Sequence, residues 1–279
     1  MTIYVKKDEG STEMNQLTSL LSEISHDHDF DFPAELIPAN ITETTLLALS
    51  EQAKKIMNTV IEYKELMMMY NCALKQIRTK FEILDDEFNV RYQRNPINSI
   101  NTRLKRSASI REKMKRNNIP LSIENIKTNI NDVAGIRVIC PYVDDIYSIS
   151  EALINQEDIT LISQKDYIAN PKPNGYRSMH LIISIPVYFA DHSEQMKIEV
   201  QIRTIAMDFW ATLEHQLKYK EQTAIGESII AELKECADII SNTDAKMLNI
   251  RKEIEESADN LTDDDVLFEK MRKIDSPLI

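Results

Sequence analysis

Residues 195–202 read QMKIEVQI, and Arg203 and Thr204 follow. Alternation puts Met196, Ile198, Val200 and Ile202 on one side of an extended chain. It puts Lys197, Glu199, Gln201 and Arg203 on the other. The segment predicts a strand with one apolar and one polar face. It feeds directly into Thr204, a residue type that caps helix N-termini, so a helix should follow. Residues 178–187 (SMHLIISIPV) begin the same way, with Ser178 and His180 opposite an apolar face. Two strands polar on one face make a site on a sheet more plausible than a bare wet surface.

Working outward, residues 135–142 (GIRVICPY) and 159–166 (ITLISQKD) also read as strands. They are rich in β-branched residues and bounded by turn or helix signals. The helical pattern of 144–155 between them suggests a β-α-β unit. Upstream, residues 44–87 carry Ile56, Val60, Met67, Tyr70 and Leu74 on a recurring helical face, which Asn95-Pro96 ends. The Met67–Met69 run reads as helix core. A second helix is predicted over 99–116 and a short third one over 122–129. Helices over 204–220, 227–256 and 264–273 complete the chain. The fold class is α/β: a mixed sheet of four to five strands flanked by helices.

Net charge taken alone argues against phosphate-rich ligands. The 279 residues carry 45 acids and 33 bases, a net charge of −12. The distribution reverses that reading. Residues 1–40 and 253–265 together hold −13, which leaves the rest of the chain at +1. Residues 103–116 hold seven bases and one acid. That island favours a polyphosphate or nucleic acid contact. Placed on one helix, Arg103, Arg106 and Lys113 would lie close to one face. The apolar runs fall well short of the roughly 20 residues that span a bilayer. The N-terminus lacks the apolar core of a secretory signal. Three separated cysteines, Cys72, Cys140 and Cys236, read as buried thiols in a reducing compartment, so a cytoplasmic location is expected.

Two further segments suggest chemistry. The loop 170–177 (NPKPNGYR) has a restricted backbone and displays Lys172, Tyr176 and Arg177. Cations beside an aromatic ring suit a purine nucleotide. Asp132 precedes a buried strand and Gly135, which allows close packing. With Glu199 it could supply the one or two carboxylates that Mg²⁺ takes beside phosphate oxygens, provided that their strands are neighbours. His26-Asp27-His28-Asp29 resembles a metal motif, but its short polar surroundings favour a solvated tail.

In this order and spacing, several segments resemble the RelA/SpoT-type small alarmone synthetases over about residues 50–225. They are IRTKFEILDDEF (77–88), RLKRSASIREKMKR (103–116), DVAGIRV (132–138), QKDYIANPKPNGYRSMH (164–180) and EVQIRTIAMDFWATLEHQLKYK (199–220). The resemblance implies a nucleotidyltransferase-like domain. It implies transfer of the β,γ-pyrophosphate of ATP to the ribose 3′-hydroxyl of GDP or GTP. Arg103, Lys105, Lys113 and Arg116 match the family's ATP-binding bases. Asp132 matches its magnesium aspartate, and Glu199 the glutamate that activates the 3′-hydroxyl and helps to hold the metal. Tyr176 matches the tyrosine stacked on guanine. Lys165, Lys172 and His180 match residues around the acceptor phosphates. Gln201 lies beside Glu199, and Asp208 falls at an acceptor-contacting position. Arg203 receives no direct role.

The resemblance implies Mg²⁺ as cofactor and a homo-oligomer, a tetramer in small members. Residues 1–42 form an acidic, loosely ordered extension, 43–225 the synthetase domain, and 226–279 C-terminal helices suited to oligomerisation. Two other readings stay open at this point. One is a tRNA 3′-end pyrophosphokinase of the same fold, against which the acidic flanks speak. The other is a non-catalytic nucleotide- or RNA-binding regulator, against which Asp132, Tyr176 and Glu199 speak. RNA binding by an active enzyme is compatible with the basic island.

Overall fold

The computed structural model describes residues 43–220 and 227–258. The acidic extension, the His26–Asp29 motif and the helix expected over 264–273 lie outside them. The chain divides into two units, 1–64 and 65–279. The second carries the sheet.

Helix α1 spans Glu43–Tyr92. In the second unit it buries Leu66, Tyr70, Ala73, Leu74, Ile77, Phe81 and Leu84, at the three-four spacing of a helix stripe. Met68 is exposed, so the methionine run straddles the stripe rather than filling the core. Gln93 takes a left-handed φ of 53° and ends the helix. Asp85 then holds the turn, accepting from the Ile97 backbone N–H at 3.0 Å and from Asn95 at 2.9 Å.

The helix expected over 99–116 is in fact two elements. Ser99–Leu104 is strand β1, and Ser107–Arg116 is helix α2. The β-branched and asparagine-containing start, SINTRL, pairs along β2 instead of coiling. Arg103 therefore sits on a strand and does not share a helix face with Arg106 and Lys113. Helix α3 (Ile123–Asn129) is capped by Ser122, whose hydroxyl accepts from Asn125 N–H at 3.1 Å. Then come β2 (Ala134–Cys140), α4 (Val143–Ile154), β3 (Thr160–Asp166), β4 (Met179–Tyr188) and β5 (Ser193–Thr204). Helices α5 (Ile205–Lys220) and α6 (Glu227–Ala258) follow.

The sheet has five strands in the order β1-β2-β5-β4-β3. Only the β2–β5 pair is parallel. β2, α4 and β3 do form a crossover, but β5 and β4 insert between the two strands, so they are not neighbours. Ala134, Ile136, Val138, Leu181, Ile183, Ile198, Val200 and Ile202 are all buried on one face. Helix α4 packs on this sheet and buries Ile146, Ile149 and Leu153. β3 is an exposed edge strand with a register shift between Leu161 and Ser163, a common way to blunt an edge. Of the cysteines only Cys140 is buried; Cys72 is half-buried and Cys236 exposed on α6, because only Cys140 lies on the core side of the sheet.

Candidate active site

The opposite sheet face collects the polar residues. Register sets Arg103 beside Gly135, and Gly135 beside Glu199. One pair further along, Arg137 stands beside Gln201 and Gln201 beside His180. His180 in turn pairs with Lys165 of β3. Because paired residues point to the same side, these side chains share one surface. A Cβ on Gly135 would meet only the Arg103 and Glu199 carbonyl oxygens, at 3.9 Å, an ordinary contact. Glycine here does not serve tight packing. It leaves the surface bare between Arg103 and Glu199.

At the β1–β2 end, Asp132 sits in the turn between α3 and β2. Lys105 donates to its Oδ2 and Lys113 to its Oδ1, each at 2.7 Å. Burial raises the Asp132 pKa, but the two ammonium groups outweigh it and hold the carboxyl below its usual range. Lys113 reaches Asp132 because α2 buries Ile110 and Met114 and turns its basic side outward. Arg103 and Arg116 are exposed and form no ion pair among the described residues. They are cations available to an anion.

Glu199 lies one strand away. Burial raises its pKa; His180 lowers it, nearby Asp132 raises it and Gln201 lowers it, and the net shift is downward. His180 Nδ1 stands 3.5 Å from Oε1, and Gln201 Nε2 donates to Oε2 at 3.3 Å. Asp132 and Glu199 are thus two ionised carboxylates on neighbouring elements, as the Mg²⁺ reading requires. Among the described residues no three His, Cys, Asp or Glu cluster as a metal cage. A two-carboxylate site would need phosphate oxygens or water to complete it.

The loop before β4 closes the other end. Tyr176 Oη is 2.7 Å from His180 Nε2 and accepts from Arg203 Nη2 at 2.5 Å. Tyr167 meets both rings edge-on, and Lys172 Nζ lies 4.6 Å above the Tyr176 ring and 4.7 Å above that of Tyr167. Arg177 does not join Lys172 and Tyr176. It turns to α6, donating to the Ala237 carbonyl at 3.2 Å and to Asp238 at 2.9 Å. Gly175, with a φ of 86°, allows this: a Cβ there would lie 2.5 Å from the Ala237 Cβ. Trp210, Ala211 and Ala237 pack beneath Tyr176. Thr204 caps α5 as expected, accepting from Met207 N–H at 3.1 Å, and also donates to Asp244 of α6. Asn174 donates to Glu214 at 2.9 Å.

The structure therefore brings Arg103, Lys105, Lys113, Asp132, Glu199, Gln201, His180 and Tyr176 to one surface. Lys165 is exposed at its β3 edge. Asp208, in the first turn of α5, bridges Arg203 at 3.1 Å and Arg137 at 3.2 Å. Sequence reasoning missed three residues. Arg137 shares the parity of Gly135, a signal that alternation along β2 could have supplied. Tyr167 had only its place in the 164–180 segment. Arg203 carried the parity of Glu199, but nothing in the sequence foretold its burial, at 4% exposure.

A mixed five-stranded sheet with a cation-rich face fits the synthetase domain that the resemblance implies. Residues 102–224 match the family described as the region found in RelA/SpoT proteins, and the chain belongs to that family. It is 43% identical over 200 residues to the GTP pyrophosphokinase YwaC of Bacillus subtilis, covering 71% of this chain and 95% of the relative. The crystal structure of small alarmone synthetase 2 from Bacillus subtilis superposes with a TM-score of 0.62 at 43% identity, over 69% of this chain and 99% of that one. Small alarmone synthetase 1 from the same organism, bound to its product pppGpp, gives 0.63 at 35% identity, over 69% and 97%.

Proposed function

We infer that this protein is a (p)ppGpp synthetase, transferring the β,γ-pyrophosphate of ATP to the ribose 3′-hydroxyl of GDP or GTP. One observation carries the reading: the chain covers nearly the whole length of a relative named GTP pyrophosphokinase and of a small alarmone synthetase solved with its product pppGpp. The acceptor 3′-oxygen attacks the β-phosphorus, the bond to the α,β-bridging oxygen breaks, and AMP leaves. Such transfer needs charge neutralisation and positioning more than covalent help. Arg103, Lys105, Lys113 and Arg116 bind the ATP phosphates. Glu199 takes the hydroxyl proton, and its lowered pKa keeps it ionised and ready. Tyr176 stacks on guanine once Lys172 moves from its ring to the acceptor phosphates, with Lys165, His180, Gln201 and Asp208 around them. Mg²⁺ held by Asp132 and Glu199 would supply further neutralisation of the phosphate oxygens.

The protein acts as a homo-oligomer, a tetramer by its resemblance. In support, Phe209, Leu213 and Leu217 form an exposed stripe on α5, and Ile239, Met247, Ile250 and Ile254 are exposed on α6. No described helix is long and apolar enough to cross a membrane, which fits a cytoplasmic enzyme. An assay with labelled ATP and each of GMP, GDP and GTP tests the function. Expected is a 3′-pyrophosphorylated guanine nucleotide. Transfer to tRNA with none to GDP or GTP would overturn it.

A further inference from the structure

We propose that Arg203 is a positioning residue that sets the hydrogen-bond polarity of both side chains facing Glu199 and thereby aims its carboxylate at the acceptor hydroxyl. The proposal rests on the synthetase reading for its catalytic consequence, but its structural content stands on geometry alone.

Arg203 is buried and makes four side-chain contacts. It donates to Tyr176 Oη at 2.5 Å, Gln201 Oε1 at 3.0 Å, Asp208 Oδ1 at 3.1 Å and Ser178 Oγ at 3.3 Å. A guanidinium has donors only. Each partner must therefore turn an oxygen toward it, and two of those turns propagate to Glu199.

The first passes through Gln201. With Oε1 on Arg203, its amide nitrogen faces Glu199 Oε2 at 3.3 Å. The flipped amide would set N–H against N–H at one end and oxygen against carboxylate at the other. Arg203 thus makes Gln201 a donor to Glu199.

The second passes through Tyr176. Its oxygen accepts from Arg203, and the acceptor within reach of its own proton is His180 Nε2, at 2.7 Å. Nε2 is then bare, so the neutral imidazole carries its proton on Nδ1, which faces Glu199 Oε1 at 3.5 Å, the outer limit of a hydrogen bond. Each Glu199 oxygen so faces one donor, and both donors take their direction from Arg203. The Arg203 Cζ also lies 5.1 Å from the centroid of the Tyr176 ring. A lysine could not replace it, since one ammonium cannot reach four acceptors in a plane.

The experiment compares wild type with Arg203→Met, Arg203→Lys, Arg203→Ala and Tyr176→Phe. In nucleotide-free protein, above the imidazole titration range, long-range nitrogen–proton spectra assign the His180 tautomer, with His180→Asn identifying its peaks. The Nδ1–H form is expected in wild type, and a shift toward Nε2–H in Tyr176→Phe and Arg203→Met. An Nε2–H form in wild type, or no change in either variant, overturns the proposal whatever the enzyme makes. In steady-state assays, Arg203→Met should lower kcat by about 10²-fold, the cost of misplacing a reacting group, with the KM for ATP unchanged. Arg203→Lys should not restore kcat. Added guanidinium should partly rescue Arg203→Ala. A kcat restored by lysine, or a loss confined to melting temperature with kcat intact, overturns the proposal. If Arg203→Met does not fold, Tyr176→Phe and its tautomer spectrum decide. A wild type that forms no pyrophosphorylated product refutes the synthetase reading and leaves the tautomer result standing.

Discussion

Asp132 takes its two hydrogen bonds directly from lysines, each at 2.7 Å, and Arg103 and Arg116 of the same basic block are exposed. Glu199, one strand away, faces His180 and Gln201, which are themselves held by Arg203 and Tyr176. The β1–β2 end works by charge, and the β4–β5 end by direction. Point charges tolerate small displacements, because Coulomb energy falls slowly with distance. Hydrogen bonds weaken steeply with angle. Substitutions at the first end should therefore cost affinity in proportion to charge. Those at the second should cost catalysis or acceptor selectivity out of proportion to the atoms removed.

The sharpest break is Glu199→Gln. It keeps shape and removes the carboxylate proposed to accept the hydroxyl proton, so kcat should fall by roughly 10²–10⁴-fold with the fold intact. A folded variant working at wild-type rate would take that role from Glu199. Tyr176→Ala should raise the KM for the guanine acceptor about 10- to 100-fold, the value of one base–aromatic stack, and leave that for ATP in place. Equal weakening of both nucleotides would refute the stacking role.

At the charge end, Lys105→Met should raise the KM for ATP about tenfold, as loss of one charge-assisted contact does. A larger effect on GDP than on ATP would reverse the assignment of the two ends. Gly175→Ala tests the buttress behind the loop. With a φ of 86° and the Ala237 Cβ in its path, alanine should cost roughly 1–3 kcal/mol, read as a lower Tm. An unchanged Tm would show that the loop is not seated on α6.

The smallest effect concerns pH. The folded-state pKa of Asp132 is lowered, so its contribution to stability is present above the ordinary carboxylate pKa and fades as pH falls toward the folded value. Asp132→Asn should flatten the acid limb of the stability curve slightly. A variant that instead changes stability only near neutrality would assign that limb elsewhere.

How much of this was legible depends on what each residue needs. The strand 195–202 announced its two faces by alternation, and both faces are where parity put them. The +6 block announced an anion site but not its form. Counting bases cannot distinguish the strand that carries Arg103 from the helix that carries Lys113. Arg177 looked like part of the ligand loop because it adjoins Tyr176, yet Asp238 and the Ala237 carbonyl, sixty residues on, take it away. Arg203 looked like a supporting residue, and it is the hub.

The sequence by itself determined the α/β class, the strand faces and the family, and it singled out Asp132 and Glu199 as the candidate carboxylates. These follow from local periodicity, from charge and from motifs read in order. The tertiary structure alone decided the strand order, the fifth strand, the bare surface at Gly135 and the orientation of donors around Glu199. Those depend on which distant residues meet at hydrogen-bond distance, and sequence separation holds no record of angle or burial.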